Sequence, residues 1–417
     1  MDRHAKTASS ILPGPASLAA RRPFLTAFAL SLGAAVSLGL TRFSYALLLP
    51  PMRADLGWSY FLSGAMNTGN ALGYFLGALA TPALMRRYGA QAALVGGAVL
   101  ASLFMLLSGF VVDAGLLIGQ RVLAGIASAF IFIAGGLLAA RLGVLHPERS
   151  GLLLGIYYGG TGLGIAASAL LVPLAMDSAA ARGAAHTWQW AWVALAALCL
   201  LATLAMVKPA RQVDGAPSNT GGQGGFTLRP FAFGLAGYLM FGVGYIGYMT
   251  FVIALLREQG MGAGTITLFY AMLGLAVMAS SRIWARMLDR FQGGQAMAIL
   301  NGLLGVATIL PALTSAPALM FVSGLMFGGI FLSVVASTTA LVRHNLPQHA
   351  WSAGISAFTT VFALGQIVGP STIGWIADGP GGLQRGLVFS ALALFIGALL
   401  ASRQRPLSSI TAAFRAD

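Results

Sequence analysis

The sequence predicts an all-α membrane protein with twelve transmembrane helices in two pseudo-symmetric six-helix bundles. Three observations support this fold class. The composition is too apolar to form a water-facing surface, about twelve apolar runs are long enough to cross a bilayer, and a weak internal repeat relates the two halves of the 417-residue chain.

The composition identifies lipid as the main solvent. Charged residues make up 8% of the chain and hydrophobic residues 58%, whereas soluble domains carry roughly 25% charged residues. The mean hydropathy of +0.83 also indicates a chain that lies mostly in lipid.

The net charge of +14 does not indicate nucleic-acid binding, because the basic residues are scattered over short gaps between apolar runs. The single cysteine, Cys199, excludes a disulfide within one chain. We therefore expect no nucleic-acid partner, no cofactor and no metal site.

Twelve runs approach or exceed the roughly 20 apolar residues that a membrane-spanning helix needs. A polar, glycine-rich stretch separates the first six runs from the last six and is typical of a flexible linker. The predicted organisation is a tail (1–23), a six-helix bundle (24–207), a linker (208–229), a second bundle (230–402) and a tail (403–417). The predicted spans are 24–49, 60–85, 91–112, 116–141, 151–175, 188–207, 231–256, 265–287, 296–314, 318–342, 351–376 and 383–402.

The distribution of basic residues predicts the orientation. Of the 24 Lys and Arg residues, 18 fall on the side of the two termini, four in the opposite loops, and two within spans. Cytoplasmic segments of membrane proteins carry such an excess of Lys and Arg. We therefore expect a multi-pass protein of the cytoplasmic (inner) membrane with both termini in the cytoplasm.

The two halves resemble each other at a fixed shift. Gly160 corresponds to Gly365 and Gly164 to Gly369 at an offset of 205 residues, and the span lengths match as well. Parallel six-helix repeats allow two rigid halves to rock about a site at the membrane midplane, as in some secondary transporters.

Four short motifs stand out in the sequence. The loop after the eighth span reads Leu288-Asp289-Arg290, and the matching loop of the first half reads Met85-Arg86-Arg87-Tyr88-Gly89, with an arginine in place of the acid. In the fourth span, Arg121, Gly125 and Ala129 share one helix face. The eleventh span contains the break Gly369-Pro370.

These motifs resemble those of the major facilitator superfamily, and the resemblance covers nearly the whole chain. Stretches 41–50 and 66–74 are similar to its YbfB/YjiJ-type branch. The resemblance implies a gate in which the acid pairs with the N-terminus of a helix in the other half, which carries about half a positive charge. The resemblance thereby implies gating roles for one acid, four arginines and the residues of a helix break. The alternative is that the basic clusters only set the topology of the chain in the membrane. The implied gating residues are Asp289, Arg290, Arg86, Arg87, Arg121, Gly369 and Pro370.

The charges within the spans suggest the substrate. All ten acids fall outside the spans or at their ends, so no deeply buried carboxylate is expected to relay protons. Arg42, by contrast, lies about 10 Å inside the first span, and an intramembrane charge is a functional hypothesis by default. We predict that Arg42 contacts an anion; the alternative is a purely structural role. Tyr45, about one turn away, is its predicted partner. Polar stripes on spans two, seven and eleven predict the rest of the binding site: Asn67, Asn70, Tyr74, Tyr245, Tyr248 and Gln366.

Together these observations predict a secondary active transporter that works by alternating access, with a small organic anion as substrate and no enzymatic activity. Its expected partners are the small-molecule substrate and membrane lipid, with a coupling proton left open, and it is expected to be a monomer. One alternative is a proton-coupled exporter of drugs or hydrophobic solutes that uses Asp55 or Asp113. Another is a non-transporting membrane sensor or scaffold on the same fold.

Overall fold

The computed structural model describes residues 22–214 and 226–407, and every regular element in these ranges is helical. Twelve long helices follow each other in the predicted order. Their bounds are Pro23–Leu56 (α1), Tyr60–Tyr88 (α2), Ala90–Ser108 (α3), Ala114–Leu145 (α4), Ser150–Ala180 (α5), Thr187–Asp214 (α6), Ala232–Glu258 (α7), Ala263–Ile283 (α8), Gln295–Leu313 (α9), Pro317–Asn345 (α10), Trp351–Ala377 (α11) and Gly382–Ser402 (α12).

Eleven helices in the described ranges are long and apolar enough to cross a membrane. The twelfth, α2, has 29 residues and is long enough, but it contains buried polar residues and two basic residues at its end, which lower its hydropathy. Its burial against α4 and α11 explains why it tolerates these side chains. The predicted twelve-helix fold is therefore confirmed.

The ends of the linker differ from the prediction. Helix α6 continues to Asp214 rather than stopping at 207, and a short 3₁₀ turn, Arg229–Phe231, precedes α7. Residues 215–225 of the predicted linker lie outside the described residues, as do 1–21 and 408–417 of the predicted tails.

The sequence repeat corresponds to a repeat in packing. A Cβ added to Gly160 in α5 would lie 1.9 Å from the carbonyl oxygen of Ser31 in α1. A Cβ added to Gly365 in α11 would lie 2.5 Å from the carbonyl oxygen of Leu239 in α7. Equivalent glycines thus let the fifth helix of each half approach the first helix of that half closely, which is how helices pack where lipid offers no hydrophobic driving force.

Helix α1 changes its winding near its middle. Residues Ala35–Phe43 form a π-helical segment, in which the amide of Ser44 donates to the carbonyl of Gly39 at 3.1 Å. Such segments insert an extra residue into a helix and often occur at functional sites. Arg42 lies in this segment.

We define two faces of the bundle. The distal face carries loops 57–59, 109–113, 181–186 and their counterparts in the second half; the terminal face carries the described chain ends. Several hydrogen bonds join the halves at mid-height and towards the distal face; two examples are Thr68 to the carbonyl of Ile367 (2.8 Å) and Tyr270 to the carbonyl of Phe43 (2.7 Å). The bundle is therefore closed at its distal face.

Candidate functional site

Arg42 is buried at the centre of the bundle, where the two halves meet. Its exposed fraction is 2%. Two of its nitrogens, Nε and Nη2, are buried without a hydrogen-bond partner among the described residues. These two nitrogens form one edge of the guanidinium, with parallel N–H groups that match the two oxygens of a carboxylate.

A buried charge with an empty hydrogen-bonding edge is costly, because burial removes the water that would otherwise satisfy it. The predicted partner Tyr45 does not fill this edge: its hydroxyl donates instead to the carbonyl of Ser63 at 2.9 Å. The Nε–Nη2 edge of Arg42 therefore has no protein partner among the described residues.

Arg121 is the second intramembrane arginine; both of its Nη atoms donate to protein acceptors, while its Nε has no partner among the described residues. Its Nη1 donates to the carbonyl of Thr41 at 2.6 Å and its Nη2 to Oδ1 of Asn67 at 2.9 Å. The guanidinium also lies 5.1 Å from the ring centre of Tyr45 and 5.6 Å from that of Trp192. With 3% exposure, Arg121 does not extend to the membrane surface.

Asn67 links this network to the other half. Its amide nitrogen donates to the hydroxyl of Thr250 in α7 at 2.8 Å, while its oxygen accepts from Arg121. The amide of Asn70, one turn further along α2, donates to the carbonyl of Arg121 at 3.2 Å, and its own oxygen has no partner among the described residues. Asn67 and Asn70 are therefore both buried, and Tyr74 of the same predicted stripe is partly exposed.

The second half contributes an aromatic surface. Five side chains, which we call the aromatic wall, pack ring against ring, with the centres of neighbouring rings 4.8–6.0 Å apart. Phe331 of the wall also contacts Phe43, the residue next to Arg42, at 5.9 Å. The wall consists of Tyr238, Phe241, Tyr245, Phe331 and Phe362.

Two predicted residues are placed differently within this half. Tyr248 stacks on Phe327 at 4.0 Å, and its hydroxyl is hydrogen-bonded to that of Ser323 at 2.7 Å. Its phenol group is therefore already satisfied inside the second bundle. Gln366 is buried with 3% exposure on α11.

The distal face is closed by a contact that the sequence analysis did not identify. The carboxylate of Asp378 accepts hydrogen bonds from the backbone amides of Tyr60 at 2.7 Å and Phe61 at 2.8 Å. These amides belong to the first turn of α2, whose N-terminus is electropositive. The Tyr60 hydroxyl also donates to Glu258, and Arg53 lies 3.8 Å from the Tyr60 ring centre. This group, the distal latch, joins the two halves.

The expected gating residues are divided between the two faces. Asp289, Arg290, Arg86 and Arg87 are exposed at the terminal face. Within the described ranges, the Asp289 carboxylate has no hydrogen bond or ion pair.

The expected helix break at Gly369-Pro370 is not present, because α11 runs continuously from Trp351 to Ala377 through both residues. A Cβ on Gly64 of α2 would lie 2.2 Å from the carbonyl oxygen of Pro370. The absence of a side chain on Gly64 therefore permits the close crossing of two helices from different halves.

The two acids of the exporter alternative point away from the centre. Asp55 accepts from Trp188 at 2.6 Å and contacts His186 at 2.6 Å, at the distal surface. Asp113 caps α4 by accepting from the amide of Leu116 at 2.8 Å. Both carboxylates therefore have local structural partners.

Sequence reasoning missed Asp378 and the phenylalanines of the aromatic wall for different reasons. Asp378 was recognised only as an acid outside the spans, although its position directly after α11 was a usable signal. The phenylalanines of the wall carry no polar atom, so they look like any lipid-facing residue until the fold shows what they face.

Comparison with known proteins identifies the family and the fold of the chain. The profile of a family described as "Uncharacterised MFS-type transporter YbfB" matches residues 34–402. A candidate tartrate transporter of Agrobacterium vitis is 28% identical over 159 residues, which are 35% of this chain and 33% of that protein. The matched segment thus spans about a third of this relative.

Solved structures share the fold at low identity. A bacterial homologue of the human lysosomal transporter Spinster, in an inward-facing and occupied conformation, is 15% identical with a TM-score of 0.68 over 92% of this chain and 97% of that one. A bacterial homologue of the human drug peptide transporters PepT1 and PepT2 is 13% identical, with a TM-score of 0.68 over 94% and 99%. Because the family profile matches residues 34–402, the chain belongs to the YbfB-like family of major facilitator superfamily transporters.

Proposed function

We propose that the protein is a secondary active transporter that moves a small organic anion by alternating access. The observation that carries this proposal is the buried, unpartnered edge of Arg42. A carboxylate would satisfy both free nitrogens at once, in a geometry that a lysine could not copy. The candidate tartrate transporter is a relative associated with a carboxylate, which supports the same class.

The positive charge of Arg121 also favours binding of an anion nearby. Arg121 donates to the carbonyl of Thr41, the residue before Arg42, and both guanidiniums are buried; like charges in a buried region disfavour one another. An anion between the halves lowers this repulsion. No carboxylate among the described residues of the central cluster does so: the acids of the described helices lie near their ends.

Alternating access is supported by the distribution of contacts between the halves. The distal latch holds one end of the interface together, while the exposed residues of the Asp289 loop lie at the other end. We assign the terminal face to the cytoplasm on the basis of its excess of basic residues. In this assignment the present conformation is the one that loads or releases substrate on the cytoplasmic side.

Counterflow in proteoliposomes tests the proposal. Purified full-length protein is loaded with an unlabelled carboxylate, and uptake of the same labelled carboxylate is followed over a panel of organic acids. We expect saturable exchange that Arg42→Gln abolishes and that Arg182→Gln, a change at an exposed arginine of the distal face, leaves intact. Exchange of cationic or neutral solutes in the absence of any anion exchange would contradict the proposal.

A further inference from the structure

We infer that the preferred substrate is a monocarboxylate with an aromatic or similarly bulky apolar body, whose carboxylate binds Arg42 and whose body packs on the aromatic wall. This inference rests on the proposed function and names the substrate class of the same site. It separates this chain from a transporter of small, polar dicarboxylates such as tartrate.

The first argument concerns the number of available cationic groups. Within the described helices only Arg42 and Arg121 lie buried at the central interface. Both Nη atoms of Arg121 are occupied by protein acceptors, and aromatic rings lie near its guanidinium. One free guanidinium edge therefore remains, and it accommodates one carboxylate.

The second argument concerns what faces that carboxylate from the other half. Phe331 of the aromatic wall contacts Phe43, the residue next to Arg42, at 5.9 Å between ring centres, and Tyr245 is packed within the same wall. A second carboxylate would have to lie against these rings, where it would lose its water without gaining a cation. Burial of an unpaired charge is far more costly than burial of an apolar group.

The third argument concerns the aromatic surface that is open to a ligand. Phe362 of the aromatic wall is partly exposed on α11, and Tyr74 is partly exposed on α2, which packs against α11. An aromatic ligand would form offset or edge-to-face contacts with such rings.

Binding to the purified full-length protein, by thermal shift or calorimetry, tests the inference. The probes are phenylacetate, acetate, succinate, tartrate and benzyl alcohol. We expect phenylacetate to bind about tenfold or more tightly than acetate, because its ring is buried on binding. Benzyl alcohol and the two dicarboxylates should bind more weakly than phenylacetate.

A variant of the wall separates a specific contact from general hydrophobicity. Phe362→Leu should weaken phenylacetate binding by about two- to tenfold and leave acetate binding unchanged, because only the ring contact is lost. Phe389→Leu, at a partly exposed phenylalanine of α12, is the matched control and should change neither.

The possible failures are distinguishable. If succinate or tartrate binds more tightly than phenylacetate and Arg42→Gln abolishes that binding, the aromatic inference is wrong and the anion transporter remains. Equal phenylacetate affinity in Phe362→Leu and the wild type would also overturn it. If only benzyl alcohol or cationic compounds bind, the proposed function itself fails.

Discussion

Asp378, at the end of α11, caps the first turn of α2 by accepting hydrogen bonds from the amides of Tyr60 and Phe61 in the other half of the molecule. A carboxylate at a helix N-terminus is stabilised both by the free N–H groups and by the helix dipole. The sequence motifs implied a latch of this physical kind, but at Asp289. The structure contains one at the opposite face, carried by a different acid.

The latch predicts a shift between conformations. Asp378→Asn keeps the shape of the side chain but removes its charge, which weakens the interaction by about 0.3–2 kcal/mol. We expect the population closed at the distal face to fall accordingly, measured by labelling of a cysteine introduced near the distal loops. Asp177→Asn, at an exposed acid near the distal end of α5, is the control. Unchanged labelling in Asp378→Asn would show that the contact does not hold this face closed.

Arg42 predicts a graded series. Arg42→Lys should weaken anion binding because an ammonium cannot offer two parallel N–H groups. Arg42→Gln should abolish binding while the protein remains folded in the membrane, since the edge that is lost has no protein partner. Affinity for carboxylates and thermal stability are measured on the same samples. A purely structural role predicts the reverse, with a loss of folded protein in both variants and normal binding by what survives.

Changes to the hydrogen-bond network of Arg121, unlike changes to Arg42, should lower stability. Asn67→Ala removes the acceptor of Nη2 and leaves a buried guanidinium nitrogen unsatisfied, a change that costs about 1–3 kcal/mol. We expect a lower melting temperature in detergent. The control Thr360→Ala should melt like the wild type, because its hydroxyl bonds only to the carbonyl of Ser356 in its own helix. Equal melting of Asn67→Ala and the wild type would argue against a structural role for this network.

Asp289 remains a predicted gate residue for the state closed at the terminal face. Its carboxylate is exposed in the present conformation. Asp289→Asn should therefore leave substrate affinity in this state unchanged but slow the turnover of counterflow, because the closed state loses a charge–dipole attraction. Wild-type turnover in the variant would remove the gating role and leave the basic cluster as a topology signal.

The orientation is tested by reporter fusions after residue 220 in the predicted linker and at the C-terminus. Both reporters should indicate the cytoplasm, as the distribution of basic residues predicts. A periplasmic signal at either position would reverse the assignment of the two faces.

The fold class could be predicted from the sequence alone, because helix length and apolar composition are local properties that a bilayer selects directly. The sequence also located the two intramembrane arginines and the polar stripe of α2, since a buried charge or amide is conspicuous among apolar residues. The correspondence of Gly160 and Gly365 was also visible in the sequence, because a close helix crossing requires a small residue in both halves.

The different roles of these residues became visible only in the tertiary structure. Arg42 and Arg121 look equivalent in sequence, but one has an empty edge and the other is held by Thr41 and Asn67. The pairing of Asp378 with Tyr60 joins residues 318 positions apart. Hydrogen bonds and ring contacts depend on distances of a few ångströms between helices, and the spacing of residues along a chain does not contain those distances.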